Sequence, residues 1–579
     1  MHAMEGPSTG TVRVPDQAPG PGTEVFAPPE RSPVPRRPSP SATRSAPTPT
    51  VDTVDTVDTV DTVDTVTRRR DRPGRVDVAA KVAVATVLVV AVVLRFWTTS
   101  DLWLDEALTV NIARLPVHEI PTYLRRDGAP PLYYVLLHFW MGIFGTSDLA
   151  VRSLSGVLGL ATLPLVWLAG RRLGGPVAAW AATLLVATSP FAVRYDTETR
   201  MYALVTFLTV VGFLALDRTL RRPRPGNLVA VGTVTALLLY SHYWSLYLVG
   251  VTMVWLAWLW FRGSPARRRG AGAALGAAAV GCLTFVPWLP IFLFQSQHTG
   301  TPWASPATFG AAVGVLSSFA GGGSGAGRVL AFSYVVLGLL GLFAAAVDRR
   351  HIDLDLRTRR RGRGLAIVTV GTVAVAVLGG SLSHSGFIAR YASVVFVPLL
   401  LLAALGVTAF RDRWVRAGIL TVAVVAGLAG AIPNVTTNRT QAGQVAAALA
   451  THGRTGDVVA YCPDQLGPSV ARLLPDGRYA QVTFPRGTGP EFVDWVDYEA
   501  ASAAGSAPEF ARKLEAAAGS DHRIFLVWAP GYQTFGGKCG TILHDLSTDP
   551  TLRTRTLVTL DPGRFYQPMS LTQFAPRTP

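Results

Sequence analysis

Apolar residues in this chain run in long blocks instead of alternating or striping one helical face. The blocks lie at about 78–98, 153–170, 176–190, 202–216, 228–242, 245–261, 271–289, 328–347, 364–380, 391–410 and 415–432. A helix rises about 1.5 Å per residue, so a block near 20 residues crosses the roughly 30 Å hydrocarbon core of a bilayer. The pattern predicts about eleven membrane-spanning helices. The stretch 228–261 reads as a tight helical hairpin broken at Ser241–Trp244. The apolar run at 131–145 is short and carries Tyr, His and Trp, so it predicts a helix lying in the membrane interface. Beyond 433 the pattern changes. Residues 456–462 and 523–529 read as strands, and 465–474 and 507–519 as helices, an alternation that predicts a small α/β domain.

Residues 1–76 are rich in Pro, Ser and Thr and hold a tandem "VDTVDTVDTVDTVDTV" at 51–66. Such sequence buries too little apolar surface to offset its ordering entropy, and predicts a disordered tail. Three regions follow: a tail at 1–76, a membrane domain at 77–432 and an α/β domain at 433–579. Only 16% of residues are charged, well under the roughly 25% of soluble domains. The formal charge is +16, from 53 basic and 37 acidic residues. The arginines do not form a nucleic-acid face. They cluster between the apolar blocks, at 68–75, 171–172, 218–224, 262–269, 349–363 and 411–416. With eleven spans and a cytoplasmic N-terminus, every cluster falls on the cytoplasmic side, as the positive-inside rule asks. The fold expected is therefore a multi-pass plasma-membrane protein with interfacial helices in a long first external loop and an extracytoplasmic C-terminal α/β domain. Placed outside, Cys462 and Cys539 are expected to form a disulfide. Cys282 lies in a helix.

That topology puts the adjacent acids Asp105 and Glu106, in "DLWLDEALTV", on the outer face. A carboxylate at head-group depth can act as a general base or a metal ligand. Asp101 is the expected N-cap of the helix that follows, leaving both acids in its first turn. The second outer connection, "SPFAVRYDTETRMY", crowds Arg194, Asp196, Glu198 and Arg200 close to the hydrocarbon, where charge is costly unless used. His242 stands at a helix turn. Arg390 and Tyr391, in "GFIARYAS", stand at the outer end of a helix, where the planar guanidinium suits phosphate oxygens. Gln295, Gln297, His298 and Trp303 lie in another outer segment, where amides and aromatics suit sugars.

Taken in order, "LWLDEALT", "DGAPPLYYVLLHFWMGIFGTSDLAVRSLSGVLGLATLPLVWLAGRRLGG", "SPFAVRYDTETRMYAL", "YSHYWSLYL", "PWLPIFLFQ" and "RYASVVFVPLLLLAALG" resemble the polyprenyl-phosphate-sugar glycosyltransferases of the GT-C superfamily. The resemblance covers roughly 78–432 and is nearest to bacterial protein O-mannosyltransferases and the lipid A aminoarabinose transferase. It implies transfer of a sugar, mannose or a pentose, from a polyprenyl-phosphate donor to a hydroxyl on a protein, lipid or polysaccharide. It implies a first-loop acid as base, matched by Asp105 with Glu106 beside it, and a second-loop acid near the acceptor, matched by Asp196 or Glu198. Arg390, Tyr391 and Arg200 match the donor-phosphate ligands. Asp127, Tyr133, His242 and Gln295 are candidate substrate contacts. A divalent cation, Mg or Mn, enters as an open expectation, because Ala129 stands before Pro130 where relatives carry His or Lys. The competing readings are a transporter and a non-catalytic scaffold presenting the C-terminal domain. No internal repeat supports the transporter, and the acids gather in outer loops rather than at mid-membrane.

Overall fold

In a computed structural model of the full chain, residues 75–300, 308–382 and 387–577 are described. The N-terminal tail with its VDT repeat and Trp303 lie outside the described residues.

The membrane domain opens with α1 (Arg75–Phe96). Three short helices follow, α2 (Leu104–Ala113), α3 (Ile120–Asp127) and α4 (Leu132–Phe144). At 13 residues α4 is too short to cross a bilayer. It buries Tyr133, Tyr134, Leu137 and Met141 and exposes Leu136, Phe139, Ile143 and Phe144, the two-faced pattern of an interfacial helix. A continuous helical assignment, α5 (Asp148–Ala187), is in fact two rods. Ser147 caps its start by accepting the Ala150 amide. The chain then reverses at Gly175, whose φ of 79° is the left-handed region that glycine occupies without strain. Pro176 starts the second rod, and Gly170 lies so close to the Ala178 carbonyl that a side chain there would collide with it.

Next come α6 (Pro190–Asp196), α7 (Tyr202–Arg221), α8 (Pro225–Ser241), α9 (Ser245–Arg262), α10 (Pro265–Leu283), α11 (Leu289–His298) and α12 (Phe309–Phe319). The domain ends with α13 (Gly325–Phe343), a small hairpin of β1 (Ala344–Ala346) and β2 (Ile352–Leu354), then α14 (Arg360–Leu382), α15 (Ser393–Val407) and α16 (Arg413–Thr436). Among the described residues nine helical segments are long and apolar enough to span a membrane. Counting α5 as two rods, and adding the 17-residue apolar α8, brings the number to the eleven expected.

The span that ends in α15 is 89% buried, far more than any other span among the described residues. It is the axial rod around which α5, α7, α13 and α14 pack. Water does not drive helices together inside a bilayer, so close backbone approach does. Gly341 and Gly406 supply it. A Cβ on Gly406 would land on the Leu337 carbonyl of α13, and one on Gly341 would land on the Leu402 carbonyl of α15. The helix ends that carry arginine clusters gather at one end of the bundle, where Arg172 meets Asp217 at 3.2 Å.

The C-terminal domain follows α16, which runs to Thr436. Its elements are α17 (Ala442–His452), β3 (Val458–Cys462), α18 (Gly467–Ala471), β4 (Ala480–Thr483), α19 (Tyr498–Ala504), α20 (Ala507–Ala518), β5 (Ile524–Trp528), α21 (Lys538–Thr548), β6 (Leu552–Val558) and β7 (Ser570–Pro576). The sheet runs β4-β3-β5-β7-β6, with β3 parallel to β4 and β5, and β7 antiparallel to β5 and β6. Period-two alternation splits the strands between two cores. Val459, Tyr461, Phe525 and Val527 meet α17 and α18, while Val458, Ala460, Ile524 and Leu526 meet α20 and α21. Cys462 and Cys539 are joined in a disulfide. The helix expected at 465–474 is confined to α18, with a 3-10 turn before it.

Replacing Gly406 with Val is expected to force α13 from α15 and lower stability by more than about 1–3 kcal/mol. Gly250→Val, where nothing lies within 4 Å of the added Cβ, serves as the control. Thermal unfolding and size-exclusion profiles of both variants check this.

Candidate active site

Helix α2 begins at Leu104, and its N-cap is Trp103 with no side-chain hydrogen bond. The expected cap, Asp101, does not perform that role. Asp105 and Glu106 do stand in the first turn, and successive helical residues point about 100° apart. The two neighbours therefore enter different surroundings.

Glu106 has no exposed surface. Arg152 grips it in a fork, with Nε donating to Oε1 at 2.7 Å and Nη2 to Oε2 at 2.6 Å. The Thr199 amide donates to Oε1 at 3.0 Å, and Arg439 lies 3.7 Å away. Arg439 also reaches Glu198 at 3.8 Å, and Arg194 pairs with Glu198 at 3.2 Å. Burial alone would raise the Glu106 carboxyl. Arg152, Arg439 and the Thr199 amide outweigh it and hold the group below its ordinary range. Arg152 further donates to the carbonyls of Ser100 and Asp101, at 2.6 and 3.1 Å. This sealed lattice fixes α2 to α5, to the loop before α7 and to the chain after α16. In this geometry Glu106 is enclosed by its ion pairs and ties α2 to its neighbours, while Asp105 beside it is partly exposed.

Asp105 keeps 15% of its side chain exposed. Arg390 lies 3.2 Å from it and Arg200 4.0 Å. Arg200 donates to Thr109 at 2.9 Å and to the Tyr134 hydroxyl at 3.2 Å, and Tyr134 donates to Asp127 at 2.7 Å. Arg390 stacks over Trp103 and Tyr391, and the Tyr391 ring lies 5.2 Å from that of His242. The fold thus brings together Asp105, Arg200, Arg390, Asp127, Tyr391 and His242 out of five separate segments. An acid flanked by two guanidiniums, with aromatic walls, is suited to an anion that approaches a proton-accepting group.

The remaining candidates are used internally. Asp196 pairs with Arg95 at 2.8 Å and packs on Gly159. Glu198 belongs to the sealed lattice. Tyr133 shares a hydrogen bond of 2.9 Å with Ser155. The Gln295 amide donates to the Leu124 carbonyl at 2.7 Å and its oxygen accepts from Tyr243, so it fastens α3 to α11. Asp196, Glu198, Tyr133 and Gln295 are all buried. His298 pairs with Asp497 at 3.0 Å. Among the described residues no three His, Cys, Asp or Glu side chains gather as a metal site.

Reading the sequence did not single out Arg95, Arg152 and Arg439. Their signal was a lone arginine inside or beside an apolar block, which the bilayer tolerates when it is paired. Reading the sequence left the role of the C-terminal domain open, and the domain rests on α2. Gln567 accepts the Leu104 amide at 3.2 Å and donates to the Gln465 carbonyl at 3.2 Å. Tyr566 meets Trp103 edge to face with ring centres 5.0 Å apart. Arg472 reaches Asp148 at 3.0 Å. Asp464, next to Gln465 at the end of β3, accepts from Tyr498, and burial pushes its carboxyl up to about 7.

Residues 128–291 match the family model for dolichyl-phosphate-mannose-protein mannosyltransferases. ArnT from Cupriavidus metallidurans bound to undecaprenyl phosphate superposes with a TM-score of 0.51 at 14% identity, covering 86% of this chain and 97% of that one. Its apo state gives 0.52 at 14%, covering 85% and 98%. The fold is that of the GT-C glycosyltransferases. The arabinofuranosyltransferase AftD from Mycobacteria gives a TM-score of 0.50 at 16% identity, covering 86% of this chain and 40% of the longer one. No curated protein sequence matches this chain. The family match begins at the C-cap of α3 and ends in α11, so Asp105 and Arg390 both lie outside it.

Glu106→Gln removes the charge that offsets two buried arginines. It is expected to lower stability by about 3–5 kcal/mol, whereas Asp105→Asn, at a partly open position, costs less. Thermal unfolding of the two variants compares them. For Asp464, the folded carboxyl holds a proton from the usual value of 3.8 up to about 7, where the unfolded chain does not. Stability from this group is thus full below pH 4 and falls as pH rises through that window, by on the order of 4 kcal/mol. Asp464→Asn is expected to flatten that part of the unfolding-versus-pH curve measured from pH 4 to 8.

Proposed function

We propose that this protein is a membrane glycosyltransferase that moves a sugar from a polyprenyl-phosphate donor to an acceptor hydroxyl at the outer face of the plasma membrane. The observation that carries the reading is the Asp105–Arg390–Arg200 cluster, an accessible carboxylate between two guanidiniums at the loop end of the bundle. The family match and the GT-C fold support the reaction class, and the bound lipid named for the Cupriavidus protein supports the donor chemistry. The arginine clusters at the opposite end support a cytoplasmic position for that end.

The donor phosphate enters between Arg390 and Arg200 and takes over the contacts these arginines make to Asp105. The released carboxylate then accepts the proton of the acceptor hydroxyl. The acceptor oxygen bonds to the anomeric carbon as the bond from that carbon to the phosphate oxygen breaks. The electron pair leaves on the polyprenyl phosphate, whose charge the same guanidiniums stabilise. A single displacement inverts the anomeric centre. General-base assistance contributes about 10²–10⁴ in rate. The acceptor, a hydroxyl of a protein, lipid or polysaccharide, reaches the site beneath the C-terminal domain that covers α2. The two guanidiniums beside Asp105 suit an anion.

In membranes supplied with radiolabelled polyprenyl-phosphate mannose and, separately, the arabinose donor, Asp105→Asn is expected to cut kcat by about 10²–10⁴ and leave donor KM nearly unchanged. Arg390→Gln is expected to raise donor KM. Transfer by Asp105→Asn at the parental rate would remove the assignment.

A further inference from the structure

A second feature runs along the bundle, from Thr209, Leu238 and Leu248 to the arginine-bearing ends of α7 and α14. A cavity of about 600 Å³ opens among α7, α8, α9 and α14. Its walls are apolar, with Leu216, Val234, Leu238, Val249, Leu256 and Val368 among them. Its end is not: Arg172, Arg221, Arg267 and Arg361 line it together with a single acid, Asp217. Asp217 is held by Arg172 at 3.2 Å and Arg221 at 3.0 Å. Arg267 and Arg361 are exposed, and no carboxylate among the described residues lies within salt-bridge distance of either.

The position of the charge decides the occupant. Helix α7 starts at Tyr202, whose ring lies 5.8 Å from that of His242 in the candidate active site, and ends at Arg221 beside this cavity. Its 20 residues place the two ends about 30 Å apart. A polyprenyl-phosphate donor has its one anion at the sugar end and an uncharged hydrocarbon at the other. Threaded from Asp105, it would bring no charge to these arginines. A membrane phospholipid entering from the arginine-rich side brings tails that fit the apolar walls and a phosphate that fits the guanidinium fork. The volume is within the usual range for small-molecule sites.

We propose that this cavity is a binding site for an anionic phospholipid, with its tails between α7 and α9 and its head group on Arg267 and Arg361. The head-group contacts proposed on Arg267 and Arg361 do not rest on the transfer reading.

The test uses the purified full-length protein in neutral detergent, given phosphatidylglycerol or phosphatidylcholine and weighed intact by native mass spectrometry. Wild-type protein is expected to retain phosphatidylglycerol over phosphatidylcholine. The double variant Arg267→Gln, Arg361→Gln is expected to lose that preference by roughly tenfold or more. Thr252→Phe, which fills the cavity from α9, is expected to lower phosphatidylglycerol retention with the arginines intact. Unchanged phosphatidylglycerol retention in both variants would overturn the proposal. So would stoichiometric displacement of bound phosphatidylglycerol by added polyprenyl phosphate, which would make the cavity a seat for the donor's tail.

Discussion

The fully enclosed carboxylate of Glu106, gripped by Arg152 and approached by Arg439, is the constraint on which the rest of the site depends. A buried ion pair is costly to desolvate, and it persists when fork geometry and further hydrogen bonds satisfy both partners. Here those conditions are met by groups from α2, α5, the loop before α7 and the segment after α16. The lattice sets the angle at which α2 leaves the bundle. That angle in turn sends Asp105 toward Arg390 and Arg200 and leaves it the accessible member of an adjacent pair.

The bundle repeats this logic with different chemistry. Inside a bilayer neither a hydrophobic gradient nor water is available to order the spans. Backbone contact at Gly341 and Gly406 brings α13 onto α15, and paired arginines such as Arg95 pin the loops at one end. The C-terminal sheet then rests on α2 through Gln567 and Tyr566. The two parts of the chain share one electrostatic frame.

Much of the fold was legible because membranes impose simple rules. Length and apolarity located the spans, and α4 was recognisable as interfacial because 13 residues with Tyr, His and Trp do not cross a bilayer. Strands β3 and β5 followed from their short β-branched and aromatic runs. The candidate site was legible only in part. Asp105, Arg200 and Arg390 stood out as charges at helix ends. The separate fates of Asp105 and Glu106 did not, because a helical offset acts through partners that are distant in sequence. Arg152 and Arg439 could be seen as lone arginines, but nothing local says which acid each will meet. The same holds for Asp196 and Glu198. They lie close together in one short loop, yet Arg95 takes the first and Arg439 approaches the second.

Arg439 has a consequence for how the protein is made. Its amide is bound by Ser100 across 339 residues of chain, and its guanidinium enters the lattice around Glu106 and Glu198. Synthesis runs from the N-terminus, so the first loop leaves the ribosome long before its last counter-charge exists. Until the final span is threaded, Glu106 and Glu198 lack one of their cations. The reactive geometry is therefore a late product of biogenesis, and a nascent chain stalled before residue 439 would carry the acids without the scaffold that gives them different tasks.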